Sequence, residues 1–358
     1  MKRNARPSLF FVTLPKSGTV FTWESLSRVT GLAMPNLSEN ARQWDEYAAG
    51  VDYRHETIYA SGDFFTQRLL PDRLGLYLPD GFVFGAHMPA SFHNMRALET
   101  AGVRRLTLLL RDPRDATVSW AHHLKGYGPS HRSYQSKIYS LPSDFFGSSF
   151  GDQLSYHVRT FLPMAVNWIE SWLEYYADPK RPIDILIVYF DELKSNPRAY
   201  IKKILDFHGL GDASLDSISP PEPGKRHFRR GEHAEWLDVF DDQDKRFAEL
   251  LIGERLAQAF RKAALSHPCF AHGASNLQAG RYQEAGTDFL SVLEQFPHCR
   301  EALEGLVDAC RALGRDLTSI ASGLDAATGT DPGPLFLYEA SLFAQLQGAM
   351  TSGRGSRA

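Results

Sequence analysis

Cysteine is scarce in this chain, with three in 358 residues, Cys269, Cys299 and Cys310. Such a count excludes the disulfide framework of a small secreted domain and fits a reducing compartment. The 3 cysteines and 13 histidines also lack paired ligand spacing of the zinc type, and no acidic triad stands near the anion-binding turns described below, so no metal is expected. No apolar run approaches the roughly 20 residues that a membrane span requires. The basic start, residues 1–6, precedes only six apolar-type residues, 9–14, too few for a secretory signal, and a cytoplasmic protein is expected. Positive charge is not in excess, since 39 Lys and Arg against 42 Asp and Glu leave a net charge of −3, and this excludes a general nucleic-acid binder. Hydrophobic residues, at 43%, are abundant enough for one large α/β domain and one small domain.

Residues 9–14 read as a buried strand and residues 21–30 as a helix, so Leu14-Pro15-Lys16-Ser17-Gly18-Thr19 form a strand-to-helix turn. Backbone N–H groups and the positive end of the helix dipole favour an anion there, and Lys16, Ser17 and Thr19 add a cation and two hydroxyl donors. Lys16 precedes Gly18, so this is not the Gly-Lys-Ser/Thr loop of nucleotide triphosphatases.

A second strand, 103–110, ends at Arg111-Asp112-Pro113-Arg114-Asp115 and feeds a helix over 116–125. A guanidinium grips phosphate oxygens bidentately, and Ser119, eight residues after Arg111, offers a hydroxyl further along the helix. Farther on, Arg229, Arg230 and Gly231 place two cations beside a residue that lets backbone approach a ligand, with Trp236 five residues later. A strand over 185–188 leads through Asp191-Glu192-Leu193-Lys194-Ser195-Asn196-Pro197 into an amphipathic helix, 199–210.

These elements, in this order, resemble the sulfotransferase family over about residues 8–265. The resemblance implies a P-loop-like, three-layer α/β domain with a central parallel sheet and helices on both faces. It implies 3′-phosphoadenosine 5′-phosphosulfate (PAPS) as donor and 3′,5′-adenosine bisphosphate as product. Lys16, Ser17, Gly18 and Thr19 take the 5′-phosphosulfate loop of the family, Arg111 and Ser119 its 3′-phosphate grip, and Arg229, Arg230 and Gly231 its lid. The family's Lys in that lid is Arg230, and its second glycine is Ala234. Phe21 stands at the family's adenine-stacking tryptophan, and Tyr189 or Phe190 near its adenine tyrosine.

Sulfuryl transfer needs positive charge on the departing oxygen and a base for the acceptor proton. Lys16 is the expected cation and His87 the expected base, the latter in Gly85-Ala86-His87-Met88-Pro89, similar to the family's Lys-Thr-His-x-Pro with its Lys and Thr replaced. His93, His122 and His123 are the other candidates for the base. The acceptor expected is a hydroxyl, or less readily an amine, of a small molecule or glycan. Residues 34–79 and 126–150, outside the strand rhythm, are where the family places acceptor loops, and they serve equally as packing loops.

The sulfotransferase-like domain is expected over residues 1–266. Over 267–350, Ala279-Gly280-Arg281-Tyr282-Gln283-Glu284-Ala285, then Phe289, Leu293 and Pro297, resemble about one and a half tetratricopeptide repeats. Tyr282, Ala285, Phe289 and Leu293 share one helical face. So short an array is expected to dock on the larger domain, pair with another subunit, bind a protein partner, or simply cap. Residues 351–358 are expected to be disordered. Two other readings remain: a helical-repeat adaptor that binds a bisphosphate nucleotide without catalysis, and a phosphoryl-transfer kinase, disfavoured by the missing Gly-Lys-Ser/Thr order.

Overall fold

The computed structural model describes residues 8–34, 65, 68, 69, 74, 81–127, 141–219, 235–253, 256, 259, 264–295 and 299–314. The chain divides into two compact units, residues 1–231 and 232–358. The expected boundary at 266/267 falls inside the second.

In the first unit, β1 (Leu9–Thr13), β2 (Val83–Ala86), β3 (Arg105–Leu110) and β4 (Asp184–Tyr189) form one parallel sheet in the order β2-β1-β3-β4. Leu9 pairs with Val83, Phe11 with Thr107, and Leu110 with Tyr189. All five residues of β1 are buried, so both faces of this strand are covered, as parallel strands require. Leu9 and Phe11 join one core cluster with Leu26 of α1 (Thr19–Thr30) and Ile201, Ile204 and Leu205 of α6 (Pro197–His208). Phe10, on the alternate face, packs on Phe84 at 5.3 Å. Each large apolar side chain so buried contributes about 1.5–3 kcal/mol.

The remaining helices of this unit are α2 (Phe92–Thr100), α3 (Pro113–Tyr127), α4 (Phe150–Ala177) and the short α5 (Phe190–Ser195). Their starts follow local chemistry. Ser91 accepts from the Asn94 N–H, Ser149 from Asp152, and Asn196 from Ala199. The helix expected from 116 begins at Pro113, because proline suits the first helical position and the Asp112 carboxylate accepts from the Arg114 N–H at 2.8 Å. Helix α4 packs on α3, where Trp120 stacks on Phe161 at 5.3 Å. Most of the segment 34–79 and residues 128–140 lie outside the described residues.

The second unit contains α7 (Trp236–Val239), α8 (Asp242–Leu251), α9 (Pro268–Gln278), α10 (Tyr282–Gln295) and α11 (Arg300–Ala312). The last three pack on one another. The face expected from the sequence is the inward one of α10, with Ala285, Phe289 and Leu293 buried. The Phe289 ring lies against two glycines: a Cβ on Gly273 of α9 would stand 3.0 Å from it, and one on Gly305 of α11 would collide with it. Residues 315–350, including the helix expected near 335–346, lie outside the described residues, as do 351–358. Among the described residues no helix is long and apolar enough to cross a membrane.

Candidate active site

The carboxyl ends of β1, β2 and β3 converge on the turn between β1 and α1, the expected anion site. Past Thr13, the Leu14 N–H donates to the Leu109 carbonyl at 3.2 Å, and the Ser17 N–H donates back to the Leu14 carbonyl at 3.2 Å. The chain then enters α1 through Gly18, whose φ of 89° is left-handed and whose Cβ, if present, would lie 2.6 Å from Leu193 Cδ2. Glycine brings no capping side chain, and no acidic residue stands in the first turn of α1. The positive end of the helix is therefore left for a ligand.

Lys16 is the only non-glycine with positive φ among the described residues, at 70°. That conformation costs about 1–3 kcal/mol. Its carbonyl accepts a 2.8 Å hydrogen bond from Arg111 Nη1 at the end of β3. Burial, and secondarily the Arg111 charge, push the Lys16 ammonium down to about 8. Arg111 is itself buried, with its guanidinium carbon 4.2 Å from the centre of the Phe190 ring. Two cations held this close call for an anion. The Ser17 hydroxyl does too, being fully buried with no hydrogen-bond partner among the described residues. A phosphosulfate donor fits these groups: it would accept from Ser17 and the α1 N-terminus and neutralise Lys16 and Arg111.

His87 leaves β2 beside this turn. Its Nδ1 lies 2.8 Å from the Thr13 carbonyl oxygen, an acceptor, which favours the tautomer with the proton on Nδ1 and the lone pair on Nε2. The Thr13 hydroxyl stands 3.2 Å from the same Nδ1 and 2.6 Å from the Thr19 hydroxyl. Burial lowers the imidazole to about 4; the Thr13 carbonyl acts against this, and the Lys16 charge adds to it. His87 is therefore neutral at pH 7. Trp168 Nε1 donates to the carbonyls of His87 (2.7 Å) and Met88 (3.0 Å), and Trp172 Nε1 donates to Met88 (3.1 Å), which anchors the backbone behind the ring. The family's lysine two residues before the histidine is Gly85, where a Cβ would stand 2.6 Å from Phe11 Cζ. The Phe11 ring occupies that space.

Phe21 is half-buried on α1 and packs against the core cluster that contains Phe190. Ser119 is half-buried in the second turn of α3. Arg114, also buried, chelates Asp112 through Nε and Nη2, the latter at 2.6 Å. Phe190 serves as the platform under Arg111, and the adjacent Tyr189 is buried with its phenol pushed up by that burial. His93 is committed to the Leu69 carbonyl at 2.9 Å, His122 lies 4.3 Å from the Phe150 ring, and His123 5.5 Å from Trp120. None of these three is tied to the anion turn as His87 is. Arg229, Arg230 and Gly231 lie outside the described residues. Thr13, Trp168 and Trp172 were not singled out by motif; Thr13 reads as an ordinary strand residue, and the tryptophans lie some eighty positions from the groups they hold.

A family profile described as "Sulfotransferase domain" matches residues 6–260. Cytosolic sulfotransferase 16 of Arabidopsis thaliana is 24% identical over 217 residues, 58% of this chain and 54% of that protein. Cytosolic sulfotransferase 8 of the same plant is 22% identical over 277 residues, 69% of this chain and 76% of its own length. The chain thus spans about half the length of the first relative and about three quarters of the second. Among solved structures, mouse sulfotransferase SULT7A1 complexed with PAP matches at 16% identity and a TM-score of 0.42, covering 70% of this chain and 86% of that one.

Proposed function

Because this chain belongs to the sulfotransferase-domain family, we propose that it transfers a sulfuryl group from PAPS to a hydroxyl, or less readily an amine, of a small molecule or glycan. The observation that carries the reading is the buried Ser17 hydroxyl, without a partner among the described residues, in an uncapped helix-start turn whose Lys16 is held by the buried Arg111, with a neutral histidine tied to the end of the same strand. The donor supplies an activated sulfuryl group on a phosphate leaving group. Lys16 holds positive charge at the oxygen that gains electron density, and the Ser17 hydroxyl and α1 N–H groups orient the 5′ end. Arg111 and Ser119 are assigned the 3′-phosphate and Phe21 the adenine, while Arg229, Arg230 and Gly231, outside the described residues, are assigned the family's lid. His87 Nε2 takes the acceptor proton; a bound dianion beside it raises its basicity from the free-enzyme level.

Residues 1–266 form the catalytic, three-layer domain in this reading. Residues 267–350 are read as a tetratricopeptide-like unit whose part is to dock on the larger domain, pair subunits, bind a protein or simply cap. The relatives' cytosolic names and the sparse cysteines support a cytoplasmic setting. Calorimetric titration with 3′,5′-adenosine bisphosphate, with ATP for comparison, tests the central claim. Micromolar binding that favours the bisphosphate supports it. No binding, or preference for ATP, overturns it in favour of an adaptor or kinase.

A further inference from the structure

We infer that the Thr13 hydroxyl is a positioning group that carries occupancy of the donor turn to His87, holding the imidazole in the tautomer with its proton on Nδ1. The inference rests on the site reading above and goes beyond it. Thr13 is fully buried at the end of β1, with its hydroxyl 2.6 Å from Thr19 Oγ1 on one side and 3.2 Å from His87 Nδ1 on the other. Thr19 opens α1, at the anion end of the helix.

A hydroxyl has one proton to donate, so a chain of them has a direction. An anion in the turn accepts from Thr19. Thr19 must then accept from Thr13, and Thr13 can only accept from the ring, which requires a proton on Nδ1. The lone pair is thereby confined to Nε2. The Thr13 carbonyl, 2.8 Å from Nδ1, biases the ring the same way at all times. With no anion, the hydroxyl chain can run in reverse, with Thr13 donating to Nδ1 and the proton on Nε2, and that tautomer cannot take a proton from an acceptor. Donor binding thus closes off the useless form, and a wrong tautomer at such a position disables a base. When the ring changes form, the Nε2–H bond breaks and an Nδ1–H bond forms, each proton exchanging with solvent, and the net charge of the ring is unchanged.

The test is a long-range proton–nitrogen correlation spectrum of the full chain labelled at histidine nitrogen, with the His87 signals assigned by their loss in His87→Gln. In wild type, added 3′,5′-adenosine bisphosphate should raise the share of the Nδ1–H form. In Thr13→Val, which keeps the carbonyl and the shape, the Nε2–H form should be at least threefold more populated than in wild type under the same nucleotide, and Thr13→Ser should restore the wild-type spectrum. Equal tautomer shares in wild type and Thr13→Val overturn the inference. Should Thr13→Val fail to fold, Thr19→Val decides: His87 tautomer shares that no longer respond to nucleotide support the chain, and an unchanged response overturns it. A wild-type protein that does not bind the nucleotide refutes the proposed function, and the comparison of free wild type with free Thr13→Val still judges the hydroxyl's hold on His87.

Discussion

The guanidinium of Arg111 donates a 2.8 Å hydrogen bond to the carbonyl oxygen of Lys16, so the end of β3 and the turn after β1 are one piece. Arg111 thus holds the strained Lys16 peptide in place, and in the proposed site it also presents charge to the donor. Arg111→Lys should separate them badly, because an ammonium can neither stack on Phe190 as a plane nor bind bidentately. Nucleotide affinity in the titration should fall by about 2 kcal/mol or more in Arg111→Ala. An unchanged dissociation constant would remove Arg111 from the site.

Lys16→Ala should lower turnover by about 10²–10³-fold, the usual loss on removing one charge-stabilising group, while bisphosphate affinity stays within about tenfold. Lys16→Gly should share the catalytic loss yet melt at higher temperature than Lys16→Ala, since glycine adopts φ 70° without strain. Thermal melts of the pair isolate the backbone contribution. Identical midpoints would mean that the left-handed turn is not strained.

Gly18→Ala puts a methyl group against Leu193 Cδ2 at a φ of 89°. Stability should fall by about 1–3 kcal/mol, and nucleotide binding should weaken because the start of α1 must shift. A melt and titration indistinguishable from wild type would contradict this geometry.

The acid response follows from three histidines that burial keeps neutral: His87 and His208 at about 4, and His157 at about 3. Their unfolded counterparts titrate near 6.5, so the unfolded chain binds more protons below that pH, and stability falls as pH drops from about 6.5 toward 4. Urea midpoints at pH 7.5, 6 and 5 should decline in that order; a flat series would show these imidazoles already charged in the fold. In kcat/KM for the donor, which reports the free enzyme, the acid limb should lie near His87's value of about 4, well below an ordinary imidazole. The alkaline limb should set in near 8, as Lys16 loses its proton. An acid limb near 6.5 would assign the base to another histidine.

Much of the fold was legible because strands of a parallel sheet are buried on both faces and read as apolar runs, such as Leu9 to Val12 and Leu108 to Leu110. Edges were less so: β2 continues through Gly85, which a propensity reading ends, because Phe11 across the ladder needs the space. Helix α4 passed unmarked, with Pro163 inside it, although Leu154, Val158, Phe161, Ala165, Ile169 and Trp172 repeat at helical spacing. In the site, motif spacing picked out Lys16, Arg111 and His87, residues whose chemistry is individual. It could not pick out Thr13 or Trp168, whose parts depend on who sits beside them. Phe190, read together with Tyr189 as standing near the adenine, lies beneath Arg111, a contact that only the pairing of β3 with β4 reveals.

The seat of Phe289 in the second unit has a bearing on how that unit comes apart. Repeat arrays tolerate losing a terminal helix because each interface is self-contained. Here one ring fills the hollows that Gly273 and Gly305 leave in two different helices. Removing either neighbour would uncover the same aromatic, so α9, α10 and α11 are expected to melt in concert rather than one at a time.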